Sequence, residues 1–398
     1  MNGDSEQPTM ARMRTSKPIV GIDDITDLLH QRYGIQIAKL KEFESYDDRT
    51  YYVKAEPGCG TGERSEFIAK VLNSTSSAPK GVVDVITDLL DYLKAYPELG
   101  CQFALPNVNG DLLSYEMIPN DVRDGDVLLG REKGLSALRL FNFVPGKPMS
   151  ASAPLPPNFF FDVGIHLGKL QKALQEYPGD VEPLKLKAQA YLWCLSNVPC
   201  LRSFLPLVQD DKKRRLAEEV ISQFEATVVP VMDGLRKGIV ESDFNNDNVL
   251  VTSSAEGTSD CSDNSPMTGG VAKYQISGVV DFDDTMYTCL VYEIAIAMMY
   301  AMFCCDEPIV AAAYVLTGFE TVSPLPRNER RLLKVLVAGR FAQSVLMSLM
   351  QVKNHPDNVY VGQTLIEGWS LLGKWWSQSE VQLQELWDCV KARCAGQH

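Results

Sequence analysis

Apolar and polar residues alternate along residues 50–55 and again along 66–72, in runs rich in Tyr, Val and Ile. Period-two stretches of β-branched and aromatic side chains predict strands. Between them lie Pro57, Gly58, Gly60 and Gly62, turn chemistry that closes the two strands into a hairpin. The period then changes. Val82, Val85, Ile86, Leu89, Leu90 and Leu93 follow the i, i+3, i+4, i+7 rule, which predicts an amphipathic helix over 82–95. Strands are expected again at 101–106 and 135–143.

Val144-Pro145-Gly146-Lys147-Pro148 interrupts the pattern and reads as a hinge. Beyond it, helical periodicity dominates, over 159–177, 210–236, 288–303, 327–350 and 361–391, with one β interlude at 239–284. Residues 253–273 are rich in Ser, Gly and Asp and predict a flexible loop between two strands. The fold class expected is α+β and two-lobed, like a protein kinase. Residues 19–143 form a β-rich N-lobe that binds nucleotide. Residues 144–398 form a helical C-lobe with an embedded catalytic hairpin and the substrate site. The active site falls between the lobes. Residues 1–18 are polar and mixed in charge and are expected to be a disordered tail.

Composition removes several function classes. A net charge of −13 argues against nucleic-acid or anionic-membrane surfaces, which need clustered Lys and Arg, and leans toward a small cationic substrate. The ten cysteines form no disulfide framework, and Cys304 and Cys305 read as free thiols of a reducing compartment. Only four histidines are present, none in a polar motif, so a zinc site or a Ser–His–Asp triad is poorly supported. No stretch reads as a membrane span.

Residues 248–251 and 274–280 read as the two strands of the embedded hairpin. Antiparallel pairing brings the end of the second beside the start of the first, so Asp281 arrives next to Asn248. Asp243 lies on the loop entering the first strand. Each alone reads as a turn residue or cap. Together they supply what phosphoryl transfer needs: oxygen ligands for Mg2+, assigned to Asn248 and Asp281, and a carboxylate for the incoming hydroxyl, assigned to Asp243.

Lys70 shares a strand face with Ile68 and Leu72, which suits a stem crossing a cleft floor with its ammonium on phosphate. Asp84, in the first turns of the following helix, is the carboxylate expected to partner it. The turn at 44–49, with Ser45, can offer backbone N–H groups to phosphates. The segment 140–143, with Asn142, is the base-facing hinge.

Asp243-Phe244-Asn245-Asn246-Asp247-Asn248 and Val280-Asp281-Phe282-Asp283-Asp284 resemble the catalytic loop and metal motif of the aminoglycoside phosphotransferase and choline kinase superfamily. Within it, the stretches at 45–50, 143–148, 192–199, 274–281, 318–324 and 340–344 are similar to the hydroxylysine kinase branch. That resemblance implies transfer of the GTP γ-phosphate, with ATP as the other donor, to the side-chain hydroxyl of 5-hydroxylysine in the cytoplasm. Asp247, Asp284 and Glu293 become contacts for a substrate amine.

Two motif positions depart from the superfamily. Glu241-Ser242 stand where His-Gly is usual, and Asp283 stands where the Asp-Phe-Gly motif has glycine. Ser242 and Asp283 are therefore expected at backbone angles that glycine tolerates best. Glu241 adds a negative charge beside Asp243, which raises carboxylate pKa values. A different amino-alcohol or aminoglycoside acceptor, and a nucleotide-binding pseudokinase, are the competing readings.

Overall fold

The computed structural model describes residues 14–43, 45, 47–59, 64–77, 81–124, 127–253, 273–354 and 359–396. The N-lobe contains β1 (Arg14–Pro18), α1 (Ile22–Tyr33), β2 (Ile37–Phe43), β3 (Arg49–Ala55), β4 (Glu66–Val71), α2 (Ser74–Ser77), α3 (Val82–Tyr92), β5 (Ser114–Asp124) and β6 (Val127–Asn142). Its strands form one antiparallel sheet in the order β1-β5-β6-β4-β3-β2. The alternation in β3 buries Tyr51, Val53 and Ala55. With Phe67, Ala69, Leu138 and Leu140 they pack on Ile25 and Leu29 of α1, forming the lobe's own core.

The opposite face carries Lys70. Here α3 turns Ile86, Leu89 and Leu90 into the core of the C-lobe, so this helix joins the two lobes. The segment at 101–106 is not a strand. It runs along the end of β6 through a single bridge, Ala104 to Phe141. Arg14–Pro18 pairs with β5, so the expected tail is ordered from Arg14 onward, and 1–13 lie outside the described residues. The loop expected at 253–273 also lies outside them, apart from its two end residues.

The C-lobe contains β7 (Lys147–Pro148), α4 (Phe159–Gln175), α5 (Glu182–Ala190), α6 (Asp211–Thr227), β8 (Lys237–Val240), β9 (Val249–Ser253), β10 (Tyr274–Val279), β11 (Met286–Cys289), α7 (Val291–Ala301), α8 (Pro308–Val322), α9 (Arg327–Arg330), α10 (Leu333–Asn354), α11 (Val359–Trp376) and α12 (Glu380–Ala395). The hinge contributes β7, which pairs with β9, while β10 pairs on the other side. β8 pairs with β11.

Several expected helices end early for local reasons. The helix at 210–236 stops at Thr227 and gives way to a tighter turn over Val229–Gly234, containing Pro230. The helix at 361–391 is two helices, because Ser379 caps α12 by accepting a bond from Gln382 N. The helix expected from 288 begins at Val291, since Thr288 and Cys289 belong to β11.

Leu333–Met350 is long and apolar enough to cross a membrane by length and composition, contrary to the sequence expectation. In the structure 78% of it is buried, and α10 is the central core helix of the lobe. α4 and α8 approach backbone to backbone at glycine. A Cβ on Gly318 would lie 1.9 Å from Phe161 O, so Gly318 serves helix packing.

Candidate active site

The β9–β10 register sets the geometry of the site. Val279 stands opposite Val249, and Val280 N donates to Asn248 O at 3.0 Å. Val280 is therefore at the level of Asn248, and Asp281 follows one residue beyond it at the same end of the hairpin. Asp281 takes a left-handed backbone (φ 62), and so does Ser242 (φ 74). Asp283 does not: it lies in a short 3-10 turn over Phe282–Asp284. The strained position of this motif is its first aspartate, not the residue in the place of glycine.

Asp243 is held from every side. Its N–H donates to Glu241 Oε2 at 3.0 Å, and the preceding Ser242 N–H donates to Glu293 Oε2 at 3.1 Å. Asn245 Nδ2 donates to Asp243 Oδ2 at 2.6 Å, while Asn245 Oδ1 accepts from the N–H groups of Asp247 and Asn248. Asn248 Nδ2 donates to Asp243 O and Oδ2. Arg340 Nη2 reaches Asp243 Oδ1 at 2.7 Å. Burial raises the Asp243 carboxyl to about 8, against the opposing pull of Arg340.

The rise at Asp243 comes chiefly from burial, then from Asp284 and Asp281, and Glu241 instead holds the loop. Its carboxylate accepts the loop's hydrogen bond, and it is fully buried. Burial first, then Glu293 and Asp243, push its pKa well above the ordinary value. Burial likewise raises Glu293 to about 7. Glu293 is thus a loop-holding residue rather than an exposed contact for an amine.

Lys70 is buried and bonds Asp281 Oδ1 at 2.8 Å, Asp283 Oδ2 at 2.8 Å and Asp48 Oδ2 at 3.5 Å. Burial alone would lower its pKa. The carboxylates of Asp281, Asp283 and Asp48 outweigh this and hold it well above the ordinary value. Asp84 is not its partner. It accepts from the Tyr115 hydroxyl at 3.1 Å on an exposed part of the lobe. Asp48 and Asp283 take that place. The register that sets Thr50 opposite Lys70 brings Asp48, two residues earlier, to the ammonium.

Ser45 donates its hydroxyl to Asp48 O at 2.5 Å and so closes the turn that presents Asp48. Asn142 spends its amide oxygen on Phe103 N at 2.7 Å, which ties the 101–106 segment to the hinge.

Sequence reasoning also missed the roles of Asn245, Arg139 and Arg340. Arg139 is fully buried and pairs with Asp283. Burial would raise the Asp283 carboxyl, but Arg139 and Lys70 hold it well below the usual carboxylate range. Arg340 and Trp193 sit in stretches that carry the hydroxylysine kinase resemblance. They meet beside Asp243, with the guanidinium 4.8 Å from the Trp193 ring.

The donors suit a divalent cation that takes part of its shell from phosphate. Among the described residues the Asn248 amide oxygen accepts no hydrogen bond, and the Asp281 side chain is 46% exposed. Among the same residues no group of three His, Cys, Asp or Glu side chains forms a complete protein cage. Two protein ligands completed by phosphate oxygens and water match the usual habit of Mg2+.

No protein-family model matches the chain. Hydroxylysine kinase of Xenopus laevis is 29% identical over 395 residues, covering 96% of this chain and 97% of the relative. Hydroxylysine kinase of Bos taurus is 29% identical over 391 residues, covering 97% and 96%. The chain is thus similar to hydroxylysine kinases over nearly its whole length. Solved small-molecule kinases share its fold. An amicoumacin kinase in complex with AMP-PNP and Ca2+ aligns with a TM-score of 0.59 at 13% identity, over 88% of this chain and 92% of its own. A microcompartment-associated aminopropanol kinase aligns with a TM-score of 0.53 at 15% identity, over 88% and 94%. Like the hydroxylysine kinases, the chain is a phosphotransferase with an alcohol group as acceptor. Its fold is the expected two-lobed kinase-like one, α+β with a β-sheet N-terminal region and a helical C-terminal region.

Proposed function

We propose that this protein transfers the γ-phosphate of GTP to the side-chain hydroxyl of 5-hydroxylysine. The observation that carries the reading is the meeting of Asp243, Asn248 and Asp281 at one end of the β9–β10 hairpin, with Lys70 of the other lobe 2.8 Å from Asp281. The acceptor follows the similarity to the hydroxylysine kinases, and GTP as donor rests on the resemblance of the sequence motifs alone.

Asp243 takes the proton of the attacking hydroxyl, within a loop whose hydrogen bonds keep its carboxylate from rotating away. Lys70 orients the transferred phosphate with its ammonium. Asn248 and Asp281 would hold Mg2+, which would offset the phosphate charge when bound. Asp284, which accepts from the Tyr191 hydroxyl at 2.6 Å, and Asp247, which accepts from Ser150 at 2.5 Å, supply carboxylates for the substrate amines. All nine described cysteines are free, which suits the reducing cytoplasm as the setting.

The test is nucleoside diphosphate release by purified protein with Mg2+ and GTP or ATP. Acceptors are 5-hydroxylysine, lysine, choline and homoserine. Release that depends on 5-hydroxylysine and is faster with GTP is expected. Turnover with homoserine or choline instead would keep the chemistry and discard the acceptor. Saturable nucleotide binding without turnover on any acceptor would make the protein a pseudokinase.

A further inference from the structure

The two oxygens of the Asp243 carboxylate are not equivalent. Oδ2 accepts from Asn245 Nδ2 at 2.6 Å and Asn248 Nδ2 at 3.2 Å. A carboxylate oxygen offers about two lone-pair positions, so Oδ2 is fully occupied. Among the described residues Oδ1 accepts one bond, from Arg340 Nη2 at 2.7 Å, and keeps a position open.

Arg340 is itself immobilised. Its side chain is 1% exposed, and Nη1 donates to Trp193 O at 3.1 Å. Its guanidinium lies 4.8 Å from the Trp193 ring and 5.5 Å from the Tyr300 ring. Gln343, one turn along α10, donates to Leu192 O and Cys194 O and so fixes the backbone on either side of Trp193. Both terminal nitrogens of Arg340 are already engaged within the protein, one by Trp193 O and the other by Asp243. Arg340 acts through the carboxylate it holds.

Resting on the reading of Asp243 as the base, we propose that Arg340 is a positioning residue that presents Oδ1 of Asp243 as the oxygen receiving the acceptor's proton. In that step the acceptor O–H bond breaks and its proton moves to Oδ1. A bond forms from the acceptor oxygen to the γ-phosphorus. The bond from that phosphorus to the β–γ bridging oxygen breaks, and the nucleoside diphosphate leaves with its electron pair. A planar fork fixed by Trp193 at one nitrogen and by Asp243 at the other sets both distance and angle. A lysine, with a single rotating ammonium, sets neither.

The experiment compares Arg340→Ala and Arg340→Lys with the parent for melting temperature, kcat and the KM for nucleotide. It uses whichever acceptor supports parent turnover, with and without millimolar guanidinium chloride. In Arg340→Ala a fall in kcat of about 100-fold is expected, the size of a one-ångström misplacement. Nucleotide KM should stay unchanged, and guanidinium, but not urea or sodium chloride, should restore kcat. Should Arg340→Ala fail to fold, Arg340→Lys decides, with kcat reduced about tenfold at the parent melting temperature expected from loss of the fork. Parent kcat in Arg340→Lys overturns the assignment. So does a loss shared equally among kcat, nucleotide KM and melting temperature, which marks a structural role. Asp243→Ala is measured beside them. Parent-like turnover there, or no turnover by the parent on any acceptor, overturns the underlying reading instead.

Discussion

Lys70 on β4 and Arg139 on β6 stand directly opposite each other, two cations paired across adjacent antiparallel strands. Like charges in that relationship repel. Asp283 relieves the repulsion by reaching across from the C-lobe to bond both, with Oδ2 2.8 Å from Lys70 and Oδ1 on Arg139. An aspartate where glycine is usual is therefore a charge-balancing residue that joins the lobes.

Asp283→Ala should cost about 3–5 kcal/mol of stability, because it leaves Arg139 buried without its carboxylate. Urea unfolding should show a lower midpoint at unchanged slope. The double variant Asp283→Ala/Arg139→Leu should recover much of the loss. Equal stability of parent and Asp283→Ala would refute the charge-balancing role.

Asp84 and Asp48 separate the sequence expectation from the geometry. Asp84→Ala removes one exposed bond to Tyr115 and should leave nucleotide KM at the parent value. Asp48→Ala removes a carboxylate 3.5 Å from Lys70 and the acceptor for Asn73 N, and should raise that KM. Steady-state kinetics on both variants checks this, and the reverse pattern would restore Asp84 as the partner.

Asp243→Ala should lower kcat by about 100- to 10,000-fold, the range of general-base contributions. Nucleotide binding by calorimetry should be preserved. Asp281→Ala should instead weaken Mg-nucleotide binding and raise the Mg2+ needed for half-maximal turnover. Unchanged metal dependence would exclude Asp281 as a ligand.

The buried Glu241 and Glu293 give stability a pH dependence of definite sign. Both carboxyls are raised by burial above the 4.5 of the unfolded chain, Glu293 to about 7. Above pH 4.5 the unfolded chain gives up protons that the folded chain keeps. The Glu293 contribution is thus complete below pH 4.5 and is lost as pH rises through about 7, by at most about 1.4 kcal/mol per pH unit for each proton, and Glu241 adds a loss of the same sign above pH 4.5. Glu241→Gln should flatten the fall in melting temperature above pH 4.5 relative to the parent. An identical pH profile in the variant would show that Glu241 titrates normally.

Local rules explain why much of the molecule can be read from its sequence. The strand and helix periods at 50–55, 66–72 and 82–95 are properties of a few neighbouring side chains. They recur as β3, β4 and α3. Even the meeting of Asp281 with Asn248 was legible, since antiparallel register follows once two strands and their connection are recognised. Helix ends were less so, because Pro230 and Ser379 act through backbone bonds that periodicity ignores.

Pattern and one hairpin register were enough to give the two-lobed α+β layout and to bring Asp243, Asn248 and Asp281 to one end of that hairpin. The tertiary structure alone decided which charges meet. Lys70 found Asp281 across 211 residues, and Asp243 found Arg340 across 97. A buried ion seeks the nearest opposite charge in space, and that distance is fixed by how the helices and the sheet pack. Asp84 has the right spacing on its helix, but the face that carries it meets Tyr115 rather than the cleft.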